Sequence, residues 1–229
     1  MTIDHRGERT LGVVCLKQRL DSVGWAVLPH IAVGVSSESV ARELGEPLAP
    51  LNGALVQRLT PKAASTPNTY SGIFGLGRFP FHTDLAHWPV PPRYLLLRCV
   101  VGYGDVPTML LDGRAVAEEV GSETMARALV RPRRPRRGEF RLLRLRQQSA
   151  EGDIIRWDEV YLKPASPVGQ DVSERIQAYL ETCQSTPVAM VADGDVLVLD
   201  NWRILHSRPA ISEDRRERRL ERVYLRSLR

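Results

Sequence analysis

An apolar run, Tyr94–Val101, constrains the fold more than any other stretch of this chain. Only Arg98 interrupts it, and a near-continuous run of this length is typical of a strand buried on both faces. The other apolar runs are short and are separated by turns rich in Gly and Pro. They predict strands within 24–29, 55–59, 106–111, 153–163, 188–199 and 220–225. Many short strands favour a β-sandwich or jelly roll with helices packed outside it.

Three helices are predicted around these strands. Ser36–Leu44 begins with serines, which cap helices well, and is followed by helix-stopping residues. A second helix is expected over 112–130, because Asp112 can cap it. Asp171–Cys183 has apolar residues at the i, i+4, i+7, i+8 spacing of an amphipathic helix. The segment 60–77 is rich in Pro, Ser, Thr, Asn and Gly and is expected to be a loop, and 192–195 carries a hairpin turn signal inside 188–199.

Size and composition describe an ordinary globular protein. The 229 residues are 43% hydrophobic and 26% charged, and we expect one domain over 1–229. No apolar run approaches the ~18 residues that a membrane helix needs, and no secretory h-region follows the N-terminus. The three cysteines lack metal-type spacing and indicate reduced thiols in a cytoplasmic protein.

The positive charge of the chain is local. The formal net charge is +5, and eight arginines fall within Arg131–Arg146. This Arg-rich segment is expected to be either a solvated loop or a lid that attracts an anionic substrate, such as a phosphate-bearing molecule, a nucleotide or a substrate tethered to an acidic carrier protein. A nucleic-acid-binding module is a further alternative, but the segment lacks interleaved aromatic residues for base stacking.

Three distant residues form a candidate metal site. His82 and Asp84 are two apart, so on a strand their side chains point the same way. With His206 they supply the two histidines and one carboxylate that hold non-haem Fe(II) on one face and leave the other positions open. The His-x-Asp pair alone is a weak signal, because it also occurs on surface strands. His87 is out of strand phase with the pair and is expected to be a structural residue, or one that lies just outside the ligand set, rather than a ligand.

A second candidate group lies near the C-terminus. On a strand, Arg218 and Arg222 share one face, whereas Arg219 points to the other. Two guanidinium groups can then point into one cavity, and each can bind a carboxylate through two hydrogen bonds. Thr108 stands on the strand after the buried run, where its hydroxyl could share a carboxylate with Arg218.

In order and spacing, these pieces resemble the TauD/TfdA family of Fe(II)/2-oxoglutarate-dependent dioxygenases, and in particular its clavaminate-synthase-like branch. The segment between Thr108 and His206 is short for that family, so part of the usual lid is expected to be missing or supplied by a partner subunit. The matching segments are Val56-Gln57-Arg58-Leu59-x-Pro61, Phe81-His82-Thr83-Asp84, Pro92-Arg93-Tyr94-x-Leu96-Leu97-Arg98-Cys99, Pro107-Thr108, Arg156-Trp157-Asp158, Asp200-Asn201-x-Arg203-x-x-His206-x-Arg208 and Arg218-x-Leu220-x-Arg222.

The resemblance implies a double-stranded β-helix core and assigns roles to the candidate residues. His82, Asp84 and His206 would bind iron. Arg218, with help from Thr108, would hold the distal carboxylate of 2-oxoglutarate. Four residues later, Arg222 would meet an anionic group of the substrate.

Further residues lie where this family lines its substrate pocket. Asp158 is the most attractive of them, because a carboxylate can hold a substrate amine. Each is about as well explained as a structural hydrogen-bonding group, since buried polar groups generally find partners. These candidates are Asp158, Gln57, Arg78 and Arg156.

The implied activity is hydroxylation of an unactivated C–H bond in a small polar metabolite, such as an amino acid or a derivative. Fe(II), 2-oxoglutarate and O₂ would be required, and succinate and CO₂ would be released. Desaturation or cyclisation remains open. The alternatives are the same chemistry on a carrier-tethered or phosphate-bearing substrate, and a jelly-roll or Arg-rich protein without catalysis.

Overall fold

This computed structural model describes residues 15–50, 53–62, 69–135 and 138–229. The helices are α1 (15–23), α2 (Ser37–Leu44), α3 (Tyr70–Phe74), α4 (Gly113–Val120), α5 (Ser122–Arg127) and α6 (Pro167–Thr182). The strands are β1 (Trp25–Leu28), β2 (Gly45–Leu48), β3 (Gln57–Leu59), β4 (Phe79–His82), β5 (Tyr94–Val101), β6 (Thr108–Asp112), β7 (Leu129–Pro132), β8 (Leu143–Arg144), β9 (Arg146–Ser149), β10 (Gly152–Ile155), β11 (Leu162–Pro164), β12 (Thr186–Val188), β13 (Val196–Asp200), β14 (Ile204–Arg208) and β15 (Arg219–Leu228).

Two antiparallel sheets face each other. The major sheet has the order β1-β13-β5-β15-β2, and β3 pairs with another part of β15. The minor sheet has the order β12-β6-β14-β4. A buried apolar cluster joins the inner faces, with Leu97 and Leu199 of the major sheet against Leu110 and Ile204 of the minor sheet. This is a double-stranded β-helix, which confirms the predicted jelly roll.

The position of β5 explains its apolar sequence. It pairs with β13 on one side and β15 on the other, so it is central in the major sheet. Leu95 and Leu97 point toward the minor sheet, whereas Leu96 points to the opposite face, where it packs with Leu20 of α1 and Val40 of α2. Because both faces of the strand are covered, the run has no polar alternation. The predicted strand over Tyr94–Val101 is confirmed residue for residue.

Helices cover the outer faces of both sheets. The side chain of Ser36 caps α2, as predicted. On the far side, Val116 of α4, Met125 of α5 and Ile176 of α6 pack against Leu205 of the minor sheet. The layers therefore run helix, major sheet, minor sheet, helix. Among the described residues, no helix is long and apolar enough to cross a membrane.

Some predicted elements are divided differently. The helix expected over 112–130 breaks at Gly121, whose φ of +84° lies in the left-handed region, and gives α4, α5 and the start of β7. The strand expected over 153–163 is two strands, β10 and β11. The hairpin expected within 188–199 is wrong, because β12 pairs with β6 in the minor sheet whereas β13 pairs with β1 and β5 in the major sheet. That segment crosses between the sheets.

The helix at 15–23 and the short helix α3 inside the predicted 60–77 loop were not expected. Residues 63–68 of that loop, and 136–137 of the Arg-rich segment, lie outside the described residues. The described part of the Arg-rich segment is not simply a loop. It includes the end of β7, all of β8 and the first residue of β9.

Candidate metal centre

Two neighbouring strands of the minor sheet bring the candidate ligands together. His82 ends β4 and lies directly opposite His206 of β14 in the sheet register, and Asp84 follows β4. Asp84 Oδ1 lies 3.5 Å from Nε2 of His82 and 3.8 Å from Nε2 of His206. One potential ligand atom from each residue lies within 4.8 Å of the others, and all three side chains are buried.

The backbone at Asp84 is held by side chains outside the triad. Asn201 Oδ1 accepts from Asp84 N at 2.7 Å, and Asn201 Nδ2 donates to the carbonyls of Asp84 (3.0 Å) and Pro92 (2.9 Å). Thr83 N donates to Trp157 O at 2.9 Å, and Trp157 N donates back to Thr83 Oγ1 at 3.2 Å. These hydrogen bonds therefore fix the backbone that carries the Asp84 carboxylate.

The charges at this site suit a divalent cation. Burial would raise the pKa of Asp84, but the Arg222 guanidinium, with His82 and His206, lowers it well below its usual range. Burial, with the neighbouring charge of His82, lowers the pKa of His206 to about 3, so this ring is neutral. Burial also lowers the pKa of His82, but the adjacent Asp84 carboxylate outweighs it and the net shift is upward.

The donor atoms also fit a metal. His82 Nδ1 lies 2.9 Å from the carbonyl of Pro80, which accepts its hydrogen and leaves Nε2 as the nitrogen that faces Asp84. A cation between the three groups would meet the same Asp84 charge that raises the pKa of His82. Two imidazole nitrogens and one carboxylate oxygen are the donor set of a non-haem iron site.

A cavity of about 460 Å³ opens beside the triad. Arg218 and Thr108 both line it and are both nearly buried. No carboxylate within the described ranges pairs with Arg218, and burial lowers the pKa of its guanidinium to about 10. Arg222 of β15 also lines the cavity, whereas Arg218 lies just before the start of that strand. However, the Arg222 guanidinium donates to Asp84 Oδ2 at 2.9 Å and to Gln57.

Asp158 and Tyr70 form another wall of the cavity. Asp158 Oδ1 accepts from the backbone N–H of Val160 (2.9 Å) and Tyr161 (2.7 Å), and burial raises the pKa of this carboxyl. The Tyr70 ring stacks on His82 with a centroid distance of 4.5 Å. The Tyr70 hydroxyl is buried and lies beside the Asp158 carboxylate, and burial together with the charge and hydrogen-bonding reach of Asp158 raises its pKa. The contact does not meet standard hydrogen-bond geometry, and no other described group bonds to this hydroxyl.

Three predicted substrate residues do not line the cavity. Arg156 is fully buried, and its guanidinium donates to the carbonyls of Ala86 (3.0 Å), Trp88 (2.6 Å) and Pro89 (3.1 Å). Its predicted contact with substrate is therefore replaced by a structural role, because NH1 and NH2 both donate to protein groups. Gln57 orients Arg222, and Arg78 is exposed outside the cavity.

His87, which was expected to be structural, lines the cavity but is not part of the triad. Three residues of the site were not predicted from the sequence: Asn201, Tyr224 and Tyr70. The sequence could have indicated the first two, because Asn201 lies in a segment that resembles the family and Tyr224 shares the strand face of Arg222. Tyr70 had no such indication, since it lies in a segment without recognisable periodicity.

Much of the Arg-rich segment is engaged by neighbouring groups. The Arg131 guanidinium lies over the Phe140 ring, 4.4 Å from its centroid, and the Arg133 guanidinium lies 5.3 Å from the Tyr161 ring centroid. Arg144 donates to a backbone carbonyl and Arg146 pairs with Asp153. Because Tyr161 lines the cavity, the segment reaches the cavity edge.

A family model described as "Taurine catabolism dioxygenase TauD, TfdA family" matches residues 17–224 of this chain. That match spans both sheets, the triad and the cavity-lining arginines.

Several solved structures share the fold. An asparagine oxygenase, in complex with Fe(II), 3-hydroxyasparagine and succinate, aligns with a TM-score of 0.71 and 18% identity, over 96% of this chain and 79% of that one. PvcB from Pseudomonas aeruginosa aligns with a TM-score of 0.69 and 22% identity, over 95% and 81%. The oxygenase OrfP, in complex with Fe, succinate and (3S)-hydroxy-L-Arg, aligns with a TM-score of 0.67 and 21% identity, over 96% and 79%.

Proposed function

Because this chain belongs to the TauD/TfdA family and is therefore a 2-oxoglutarate-dependent dioxygenase, we propose that His82, Asp84 and His206 bind its Fe(II) ion. The observation that carries this proposal is the convergence of three ligand atoms within 4.8 Å in a buried site. Together, Fe(II), 2-oxoglutarate and O₂ supply the oxidant that hydroxylates a C–H bond, with release of succinate and CO₂. The protein binds the ion on one face and leaves the other positions for cosubstrate and O₂.

Arg218 and Thr108 are proposed to hold the distal carboxylate of 2-oxoglutarate. The support is the state of the guanidinium, which is buried, lines the cavity and has no carboxylate partner among the described residues. An unpaired buried charge is costly. An incoming carboxylate offsets that cost and gains two charge-assisted hydrogen bonds.

The substrate is proposed to be an amino acid or a similar small molecule that bears an amine. Asp158 is a buried carboxylate on the cavity wall. Two backbone N–H groups donate to it, the Tyr70 hydroxyl and the His82 ring lie nearby, and no Lys or Arg of the described residues forms a salt bridge with it. A substrate ammonium would supply the missing charge partner. The cavity volume lies in the range of small-molecule sites. The asparagine and arginine products bound in two structural relatives are consistent with this substrate class.

A second candidate substrate carries a phosphate or is tethered to an acidic carrier protein. Arg58 and Lys62 line the cavity and are exposed, and Arg133 reaches the cavity edge through Tyr161. These cations would attract an anionic group at the cavity mouth. If so, kcat/KM for the tethered substrate should fall steeply with ionic strength, whereas kcat/KM for a free amino acid should not.

We also propose that the chain is a single domain, supported by a family match over nearly its whole length, and that it works in the cytoplasm. The cysteines support that location, because Cys15, Cys99 and Cys183 are all free thiols.

The decisive experiment measures Fe(II) and 2-oxoglutarate binding without O₂, followed by O₂-dependent succinate release with a panel of amino acids. His82→Ala should abolish turnover and weaken metal binding by more than the roughly 10- to 100-fold expected for a residue outside the ligand set. His30→Ala changes an exposed histidine and should have no effect. Full activity of His82→Ala would disprove the metal assignment.

A further inference from the structure

The two carboxylate oxygens of Asp84 lie in different surroundings. Oδ1 faces Nε2 of His82 and of His206, at 3.5 and 3.8 Å. Oδ2 points away from the histidines and accepts two hydrogen bonds, from Arg222 NH1 at 2.9 Å and from the Tyr224 hydroxyl at 3.2 Å. One oxygen is therefore open toward the metal position, and the other is occupied by protein donors.

Strand geometry fixes both donors. Arg222 and Tyr224 are two residues apart on β15, so both point from the inner face of the major sheet. Opposite Arg222 in the register lies Gln57 of β3. The Gln57 amide oxygen accepts from Nε and NH2 of Arg222, which leaves NH1 aimed at Asp84. Tyr224 is almost fully buried in the apolar cluster between the sheets, so its ring has little freedom to move.

We infer that Arg222 and Tyr224 are positioning residues that hold Asp84 as a ligand through Oδ1 alone, with Gln57 orienting Arg222. This inference rests on the proposed function, since it requires a metal at the triad. Rotation of the carboxylate to bring both oxygens to the ion would break two hydrogen bonds, one of them charge-assisted. Donors to a ligating carboxylate set its orientation and tune its basicity.

This role replaces the expected contact of Arg222 with a substrate anion. The guanidinium of Arg222 already has a carboxylate and an amide oxygen as partners, whereas Arg218 in the same cavity has no carboxylate partner within the described ranges. A substrate anion at Arg222 would have to displace Asp84. That exchange would leave a buried carboxylate without its main counter-charge, which is unfavourable.

The test uses Co(II) in place of Fe(II), because the visible absorption of Co(II) reports the number and geometry of its ligands without any turnover. Tyr224→Phe and Arg222→Met should each weaken Co(II) binding by about 10- to 100-fold and should change its visible spectrum. Gln57→Leu should give a smaller change in the same direction. Tyr94→Phe removes a hydroxyl from a tyrosine on the opposite face of the major sheet, where Tyr94 packs in the same cluster as Leu96, and should leave both readouts unchanged.

If Tyr224→Phe and Arg222→Met both keep the wild-type Co(II) affinity and spectrum, the inference is wrong. A raised substrate KM in Arg222→Met would then assign Arg222 to substrate binding. Tyr224→Phe keeps the volume of the ring, and its melting curve checks that it folds. Failure of the wild-type protein to bind Co(II) at all would instead disprove the proposed function.

Discussion

The cavity contains two buried carboxylates, and their environments differ. Asp84 lies beside the Arg222 cation, which together with the two histidines outweighs the effect of burial and lowers the pKa of the carboxyl. Asp158 accepts hydrogen bonds from two backbone N–H groups, and burial raises its pKa although those groups, His82 and the Tyr70 hydroxyl act in the opposite direction. The same side chain is therefore held ionised at one position and left short of a positive partner at the other.

This difference separates the roles of the two positions. A carboxylate that the fold keeps charged and fixed is suited to hold a resident metal ion. A carboxylate without a cationic partner is suited to bind a small molecule that carries its own positive charge. The two arginines of the cavity follow the same division, because Arg222 is paired with Asp84 and Arg218 is unpaired among the described residues. Charged groups that pair with each other in the protein build the metal site. Charged groups that lack such a partner are suited to bind small molecules.

Arg156 links the two carboxylate positions, and its removal should have the largest effect on stability. It lies two residues before Asp158 and holds the carbonyls of Ala86, Trp88 and Pro89, which follow Asp84. Arg156→Met should lower the free energy of unfolding by about 3 kcal/mol, because it leaves several buried carbonyls without donors. Urea denaturation measures this, with Arg78→Met, at an exposed site, as the control. A stable Arg156→Met protein with a raised substrate KM would restore Arg156 to the substrate site.

Arg218→Leu tests the unpaired cation. The KM for 2-oxoglutarate should rise by roughly 100-fold, since loss of one partner of a buried charge pair costs a few kcal/mol. Without cosubstrate, the variant should melt at a higher temperature than wild type, because an unpaired buried charge has been removed. Arg219→Leu, which changes the exposed neighbour on the opposite face, should alter neither value. A raised KM in Arg219→Leu instead would show that the strand register has been misassigned.

Asp158→Asn tests the carboxylate that lacks a cation. With an amine-bearing substrate, kcat/KM should fall by about tenfold or more at neutral pH. In the wild type, kcat/KM should also decline as the pH falls through the raised pKa of Asp158, because the protonated carboxyl no longer attracts an ammonium. Asp158→Asn should lack this decline and Glu159→Gln should keep it. The same acidic decline in Asp158→Asn would assign it to another group.

The sequence predicted the elements whose side chains follow a simple period. The apolar run of β5 and the capped helix α2 match the structure. Arg218 and Arg222 both line the cavity, although Arg218 lies just before β15 and the register of that strand shifts after Arg219. The sequence did not predict which sheet a strand joins. The segment around 188–199 reads as a hairpin locally, but its two strands pair in different sheets, because pairing is decided by contacts far away in the chain.

For the site, residue types and spacing identified the three ligand candidates but not the hydrogen bonds around them. Arg156 and Arg222 have the same side chain, and both lie in segments that resemble the family. Only the structure distinguishes one bound to loop carbonyls from one bound to Asp84. Tyr70 lies in an aperiodic loop, so its position over His82 depends entirely on tertiary packing.

Two buried tyrosines test the same contrast, between a polar group with a hydrogen-bond partner and one without, through small changes in the free energy of unfolding that are expected to have opposite signs. Tyr224 donates to Asp84, whereas the buried Tyr70 hydroxyl makes no hydrogen bond of standard geometry within the described residues. Tyr224→Phe should therefore lower the free energy of unfolding of the metal-free protein by about 1 kcal/mol. Tyr70→Phe should leave it unchanged or raise it by up to about 1 kcal/mol, because a desolvated hydroxyl without a partner is lost. Denaturant midpoints of both variants measure the two signs. Equal destabilisation would mean that Tyr70 does bond to Asp158, and that Asp158 is less available to a substrate cation than its surroundings indicate.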